Sequence, residues 1–497
     1  MTGFDDGVEL RSRIDAILAI DPTAPAMEFE GRWHTWGELA HMAQTFRCLL
    51  DESGVGPGCP VGVLLRNRPT AVGLLLAIIQ AGACAVAINP AKPDRACADL
   101  RSLGLPFVVG EKSDVAAMEG CDPGATLIAA EDLGAPHIVR RGEQRVIRSY
   151  PGVAVKMLTS GTTGPPKRID LTTVTLSRAL LGAKHYESQT REKPELRDGV
   201  AVVNSPLVHL GGLFRILQCV ADGRRFVLLE RFSVDSWSEA VRTYRPRTVS
   251  LVPTALRMVL ESDIDPEVLS SVKSVVSGTA PLSPDDAEAF TARFGVPVLV
   301  AYAATEFGGG VAGWNLADYR QFASSKRGSV GRAHSDCELR VVTPEGETLP
   351  PGEEGLLEVK AGQLGSESGW IRTTDLARLD EDGFLWILGR SDETIIRGGF
   401  KVQPEEVRVA IESHPAVAGA VVIGVPDRRL GAVPVAVVEL RAQAPSVSAE
   451  DVLSHVEQQL ARYELPVEVR FVESLPRTPV GKPDLQAVRS IFEGQRP

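Results

Sequence analysis

The chain has 497 residues, too many for one hydrophobic core, so two or more domains are expected. Its 44% hydrophobic and 24% charged content is that of an ordinary globular protein. The net charge of −11 argues against broad binding to nucleic acid or to an anionic membrane, while leaving room for a local basic pocket for phosphates. The seven cysteines, Cys48, Cys59, Cys84, Cys97, Cys121, Cys219 and Cys337, are widely scattered and form no C-x-x-C pair. That spacing speaks against a disulfide framework or a zinc site, and for a reducing cytoplasm. The start, Met1-Thr2-Gly3-Phe4-Asp5-Asp6, is acidic and shows no apolar signal-peptide core.

In chain order, apolar periodicity predicts a helix over 35–50, a strand over 61–65 and a helix over 70–80. The run 71–88 is the nearest approach to a membrane span. It contains Gly73, Gln80 and Gly82, so it reads as a helix ending near Gly82 followed by a buried strand over 83–88, and no membrane span is expected. Further candidates are a strand at 107–109, a helix at 171–181, strands at 199–203 and 225–229, and a helix at 234–244. Strands at 248–251 and 274–276, a helix at 284–294 and a strand at 298–300 follow. This alternation implies parallel sheets covered by helices, an α/β fold. After Gly328 the pattern changes to short strands at 338–342, 355–359, 376–379 and 384–388, separated by Pro, Gly and Asp turns, as in a small antiparallel barrel or sheet. From Glu393 onward a helix at 404–413, strands at 418–424 and 434–440 with a long connection, and a helix begun by the Ser448/Asp451 capping box form an α+β unit.

The stretch Thr159-Ser160-Gly161-Thr162-Thr163-Gly164-Pro165-Pro166-Lys167 follows the apolar run 153–158. Glycines let backbone N–H groups turn toward one point, hydroxyls add donors and Lys167 adds charge, so the loop suits a polyphosphate. It is not a Walker loop, because Pro165-Pro166 precede the lysine and Arg168 follows it. Three other motifs stand downstream. Ala301-Tyr302-Ala303-Ala304-Thr305-Glu306 precedes Gly308-Gly309-Gly310. Arg372-Thr373-Thr374-Asp375 leads to Gly389-Arg390-Ser391-Asp392-Glu393 and on to Arg397-Gly398-Gly399-Phe400-Lys401. Pro476-Arg477-Thr478-Pro479-Val480-Gly481-Lys482 lies near the end of the chain.

Together and in this order, the four motifs resemble those of the adenylate-forming superfamily, in its acyl- and aryl-CoA synthetase branch. The resemblance implies a large N-terminal domain of helix-covered sheets plus a small antiparallel barrel (1–389) that binds ATP and the acid. A hinge (390–392) and a smaller, mobile α+β C-terminal lid (393–497) carrying the catalytic lysine complete the chain. The activity implied is ATP-dependent conversion of a carboxylic acid to an acyl-adenylate with release of pyrophosphate, then transfer to coenzyme A. Such catalysis is mostly positioning and cation placement around developing negative charge.

Residue by residue, the resemblance makes Lys482 the bridge between carboxylate and α-phosphate, Glu306 the Mg²⁺ ligand and Thr305 a phosphate contact. Tyr302 and Gly278-Thr279-Ala280 would wall the adenine, and Asp375 with Arg390 would hold the ribose. Asp392 would be the hinge, and Gly398-Gly399 would line the pantetheine tunnel. His209 would stand at the acyl pocket, where amino-acid adenylation domains usually carry aspartate, so the substrate acid is not expected to be an α-amino acid. Leu213, Ala303 and Gly308 are further acyl-pocket candidates, and Trp314 is either near them or ordinary core.

The chain departs from the family pattern in three places. Thr374 stands where glycine is usual and would be strained if φ there is positive. Ala303 replaces a common glycine, and the 361–370 segment is short. These departures motivate an alternative, an adenylation-only ligase passing its acyl group to a carrier protein, an amine or a partner protein. A non-catalytic nucleotide-binding homologue is the second alternative, against which the presence of Lys482 and Glu306 speaks.

Overall fold

The structure is a computed structural model that describes residues 6–131, 134–143, 148–158, 168–181, 193–365, 367–441, 447–478 and 482–493. These form two compact units, the first comprising residues 1–321, 334–336 and 361–368, the second 322–333, 337–360 and 369–497.

The first unit is built on sheets with helices against them. A seven-stranded sheet runs in the order His137–Arg140, Thr126–Ala130, Phe107–Glu111, Pro60–Leu64, Cys84–Ile88, Val153–Leu158, Arg168–Thr172. Its central strands are parallel and buried along their whole length, which is why they read as continuous apolar runs rather than alternating ones. The helix Pro69–Ala81 is apolar on nearly every face because it too is buried, and Gly82 ends it in the left-handed conformation (φ 69°). The following strand begins at Cys84, so this apolar stretch is a helix and a strand, as its glycines imply. Among the described residues no helix is long and apolar enough to cross a membrane.

A second sheet places Arg197–Val203 beside Arg224–Leu228 and then the hairpin Pro25–Phe29/Arg32–Thr35. Thr35 ends that hairpin and opens the helix Trp36–Glu52 with a capping box: its hydroxyl accepts from the Glu38 N–H at 3.1 Å, and the Glu38 carboxylate accepts from the Thr35 N–H at 2.7 Å. In a third group, Thr248–Ser250, Ser274–Ser277 and Val298–Ala304 are parallel neighbours, and Gly309–Gly313 turns back antiparallel to the last.

The second unit contains a four-stranded antiparallel sheet, Glu338–Val342, Glu354–Lys360, Ile371–Leu379, Leu385–Arg390. Beyond it, the long hairpin Val417–Asp427/Gly431–Leu440 pairs, along the free edge of Gly431–Leu440, with the short hairpin Ile395–Arg397/Phe400–Val402 at Gly431 and with Val469–Val472 further on. Two cores flank it, one including Ile395, Val407, Ile411 and Val452, the other Val421, Val435, Val488 and Phe492. Ser448 and Asp451 form the expected capping box.

Several sequence expectations are corrected. The chain over 168–172 is a strand paired with Val153–Leu158, and the helix starts only at Thr173. Of the helix expected over 171–181, Leu171 and Thr172 belong instead to this strand, where cross-strand pairing that includes Lys156 opposite Asp170 overrides the local helical period. The connection between the two long strands of the second unit is not long but a three-residue turn, Arg428-Arg429-Leu430, fixed by Asp427 Oδ1 accepting from the Arg429 and Leu430 N–H groups. A disulfide joins Cys97 to Cys121, with Cα atoms 5.0 Å apart, against the expectation of none. Their separation of 24 positions hides this in the sequence, since only the helix–strand–helix path brings the two ends together.

Candidate functional site

The glycine- and hydroxyl-rich loop Thr159, Ser160, Gly161, Thr162, Thr163, Gly164 and Lys167 lies outside the described residues. The strands that bracket it, Val153–Leu158 and Arg168–Thr172, are antiparallel neighbours with Leu158 opposite Arg168, so their pairing fixes both ends of the loop.

In the first unit, Tyr302, Ala303 and Ala304 occupy the last turn of the strand Val298–Ala304. The ladder with Gly309–Gly313 shifts between Tyr302 and Ala303, a bulge that re-aims the side chains beyond it. Tyr302 packs at 6.1 Å, ring to ring, on the fully buried Phe307. Thr305 and Glu306 open a single 3₁₀ turn closed by Gly308 (φ 73°), which leaves the Glu306 carboxylate exposed. A side chain at Gly308 would meet Thr175 Cγ2 at 2.5 Å, so the glycine is required for close approach as well as for its dihedral.

The strand Ser274–Ser277 lies parallel to this one, with Ser277 opposite Val300. At its end a Cβ on Gly278 would stand 3.0 Å from the Ala301 carbonyl oxygen, so the two backbones approach closely here. Thr279 then takes φ 74°, one of three non-glycine residues with positive φ among those described. That conformation costs about 1–2 kcal/mol for a residue with a Cβ. Thr374, by contrast, is an exposed strand residue without positive φ, so the condition under which it would be strained is not met.

His209 is the N-cap of the helix Leu210–Ala221, extended at φ −115° and ψ 151°. Its N–H donates to the Pro206 carbonyl at 3.1 Å, and its carbonyl accepts from Leu213 at 3.0 Å. Leu213 is fully buried in the core, and Trp314, 4% exposed, packs edge-on against Tyr319 at 5.9 Å. The short 361–370 segment begins with a 3₁₀ turn, Gly362–Leu364, that packs on the helix Thr173–Leu181. There Gln363, 8% exposed, reaches the Gly310 carbonyl at 3.4 Å.

In the second unit, Asp375 and Arg390 are direct partners across the strands Ile371–Leu379 and Leu385–Arg390. Thr373 fixes the approach to Asp375: its hydroxyl donates to the Leu357 carbonyl at 2.9 Å and accepts the Asp375 N–H at 3.0 Å. The guanidinium of Arg390 makes a two-bonded fork to Asp392, at 2.9 and 2.8 Å, with Glu393 at 3.5 Å. Those hydrogen bonds hold the Asp392 carboxyl below the usual carboxylate range and push Arg390 up. Sequence reasoning gave Asp392 only a hinge role and missed it as the partner of Arg390.

Gly398 and Gly399 (φ 59° and 92°) are the two central residues of the hairpin turn between Ile395–Arg397 and Phe400–Val402. Positive φ at both is the type I′ requirement, so a glycine pair is what this turn needs. Lys482 sits in a closed loop: its carbonyl accepts from the Thr478 N–H at 2.7 Å and the Thr478 hydroxyl at 3.1 Å, and Arg477 bridges to Pro483.

In the first unit, Gly278 and the ring of Tyr302 stand at the ends of neighbouring parallel strands. Among the described residues no three His, Cys, Asp or Glu side chains gather to hold a metal.

Two family profiles cover most of the chain. Residues 15–366 match "AMP-binding enzyme", and residues 406–482 match "AMP-binding enzyme C-terminal domain", the second match ending on Lys482. The chain belongs to the AMP-binding enzyme family. Within it, this protein falls in the acyl- and aryl-CoA synthetase branch, whose members are acid–thiol ligases. A rice relative (Oryza sativa subsp. japonica), 4-coumarate–CoA ligase-like 5, is 31% identical over 86% of this chain and 79% of its own length. The solved o-succinylbenzoate CoA synthetase of Bacillus subtilis, in complex with the acyl-adenylate intermediate OSB-AMP, aligns with a TM-score of 0.79 at 25% identity, over 97% of this chain and 98% of that one. The amide bond synthetase McbA of Marinactinospora thermotolerans aligns with a TM-score of 0.81 at 27% identity, over 98% and 100%.

Proposed function

We propose that this enzyme converts an aromatic or other non-amino carboxylic acid to its acyl-adenylate and then to its coenzyme A thioester. The observation that carries this reading is the two-part family match that ends on Lys482. The acid's carboxylate oxygen attacks the α-phosphorus of ATP, and pyrophosphate leaves. The thiol of coenzyme A then attacks the acyl carbon, giving up its proton, and AMP leaves.

Tyr302 and the Gly278–Ala280 backbone hold the adenine. Asp375 accepts from the ribose hydroxyls, and Arg390, held in its fork by Asp392, donates to the same sugar. Thr305 contacts a phosphate, and Mg²⁺, when bound at Glu306, neutralises phosphate charge. Lys482, on a backbone clamped by Thr478, stabilises the charge that develops between carboxylate and α-phosphate. His209, with Ala303 and Gly308, borders the acid. A chain division at 390–392 accords with the separate cores of the part beyond it.

The amide bond synthetase among the structural neighbours supports one second reading, an adenylating enzyme whose acceptor is an amine. Product analysis by mass spectrometry separates the two. The enzyme is given ATP, Mg²⁺, coenzyme A, an alkyl amine and a pool of benzoate, 4-coumarate, 2-succinylbenzoate and fatty acids. An acyl-CoA is expected. An amide, with no thioester, would overturn the thiol step and leave the adenylation step standing.

A further inference from the structure

We propose that Asn67 is a positioning residue that sets the place of His209. The proposal rests on the reading of His209 as an acid-pocket residue. Asn67 lies between the strand Pro60–Leu64 and the helix Pro69–Ala81 and is 5% exposed. Its side chain spends its donors and an acceptor on backbone far away in sequence. Nδ2 donates to the Ser205 carbonyl at 3.0 Å and to the Leu229 carbonyl at 3.0 Å, and Oδ1 accepts the Leu207 N–H at 2.8 Å. An amide offers two protons on one side and lone pairs on the other, and this arrangement uses both sides.

Ser205 and Leu229 follow the carboxyl ends of the neighbouring parallel strands Arg197–Val203 and Arg224–Leu228. Ligands in such sheets bind outside those ends. The turn 204–208 that Asn67 grips leads directly to His209, whose own N–H is bonded back to Pro206. The backbone around Asn67 is itself tied down. Arg66 forks onto Asp114 at 2.6 and 2.7 Å, and Arg68 bonds Glu230, the residue after Leu229, at 3.1 and 2.9 Å. A buried polar group held on both sides fixes its partners in one arrangement. Removing it frees the turn and, with it, the ring of His209.

The test uses the full chain with ¹³C-labelled histidine rings. The His209 signal is identified by its loss in His209→Ala. In Asn67→Ser, and in Asn67→Ala should that variant be the better folded, the His209 signal is expected to shift and broaden while the other seven histidine signals hold. An unchanged His209 signal, or equal shifts in all eight, would overturn the proposal. Kinetics then separates it from the reading beneath it. With the best-accepted acid of the pool above, the KM for acid in Asn67→Ser is expected to rise about tenfold or more with the KM for ATP little changed. In the His209→Ala background the same change at Asn67 should have no further effect on the acid KM. If His209→Ala alone leaves the acid KM unchanged, the acid-pocket assignment of His209 is wrong, and Asn67 positions a residue with another task. If His209→Ala raises the acid KM and Asn67→Ser does not, Asn67 has no positioning role.

Discussion

Gly212 and its neighbour Gly211 offer a matched pair of substitutions whose signs the structure separates. Both lie in the first turn of the helix Leu210–Ala221. A Cβ on Gly212 would stand 2.3 Å from the Pro206 carbonyl oxygen, 2.5 Å from that carbonyl carbon and 2.6 Å from the Ser205 oxygen. All three atoms are backbone, and all belong to the turn gripped by Asn67, so the clash has no flexible side chain to absorb it. Overpacking of this kind costs about 1–3 kcal/mol, and alanine returns at most about 1 kcal/mol through helix propensity. Gly212→Ala is therefore expected to be about 1–3 kcal/mol less stable than Gly211→Ala, which gains the same propensity without the clash, and to melt a few degrees lower. A Cβ on Gly211 meets nothing within 4 Å, so Gly211→Ala is expected to be neutral or stabilising by up to about 1 kcal/mol. Urea unfolding of both variants beside the parent is the assay. A Gly212→Ala variant as stable as Gly211→Ala would refute the close packing of helix and turn, and with it the argument that this turn has only one arrangement.

Three further outcomes are expected. Lys482→Ala should abolish acid-dependent pyrophosphate release while ATP binding, followed by calorimetry, stays close to the parent; near-normal turnover would remove Lys482 from the chemistry. Gly399→Asn tolerates the turn's positive φ yet adds a side chain, so it should slow thioester formation while sparing acyl-adenylate formation, each half-reaction being assayed separately; equal loss of both would contradict the tunnel assignment. Asp392, held below the usual carboxylate range by Arg390, contributes stability that is present above the ordinary carboxylate pKa and lost as pH falls through its own lower value. The urea midpoint of Asp392→Asn should therefore fall below the parent's near pH 7 and converge on it toward pH 3, and a gap that widened in acid would reverse the assigned sign.

Local periodicity was enough where packing agreed with it. The helices Val234–Tyr244 and Pro284–Phe294 stand at their expected limits, because one face of each is buried and their ends carry a serine N-cap or an N-terminal proline. It was not enough at 171–172, where the partner strand decides, nor at Cys97 and Cys121, where only the tertiary path brings two sulfurs together. At the candidate site the chemistry was legible and the geometry was not. The motif residues announce themselves by type and order, but nothing in Arg390-Ser391-Asp392 says that the guanidinium turns back two residues onto Asp392. Asn67 carries no sequence signal at all, being one amide in an unremarkable Arg-Asn-Arg-Pro stretch.

For Gly398-Gly399, a tight turn and a functional lining are not rivals. A type I′ turn needs positive φ at both positions, and a Cβ on Gly399 would meet nothing within 4 Å. The glycine pair is therefore sufficient to explain the hairpin, and the same absence of side chains leaves its tip clear on the outside. Thr279 makes the converse case. It holds positive φ without being glycine, at the end of a strand where Gly278 already meets the neighbouring backbone. A conformation that costs about 1–2 kcal/mol persists only where the surroundings over-determine it. Here the strand Ser274–Ser277 that leads into it and its parallel neighbour Val298–Ala304 supply that constraint. Backbone geometry thus selects glycine at 398 and 399 and overrides residue preference at 279, and in both places the result is an exposed turn at the end of a rigid strand, where a ligand can reach it.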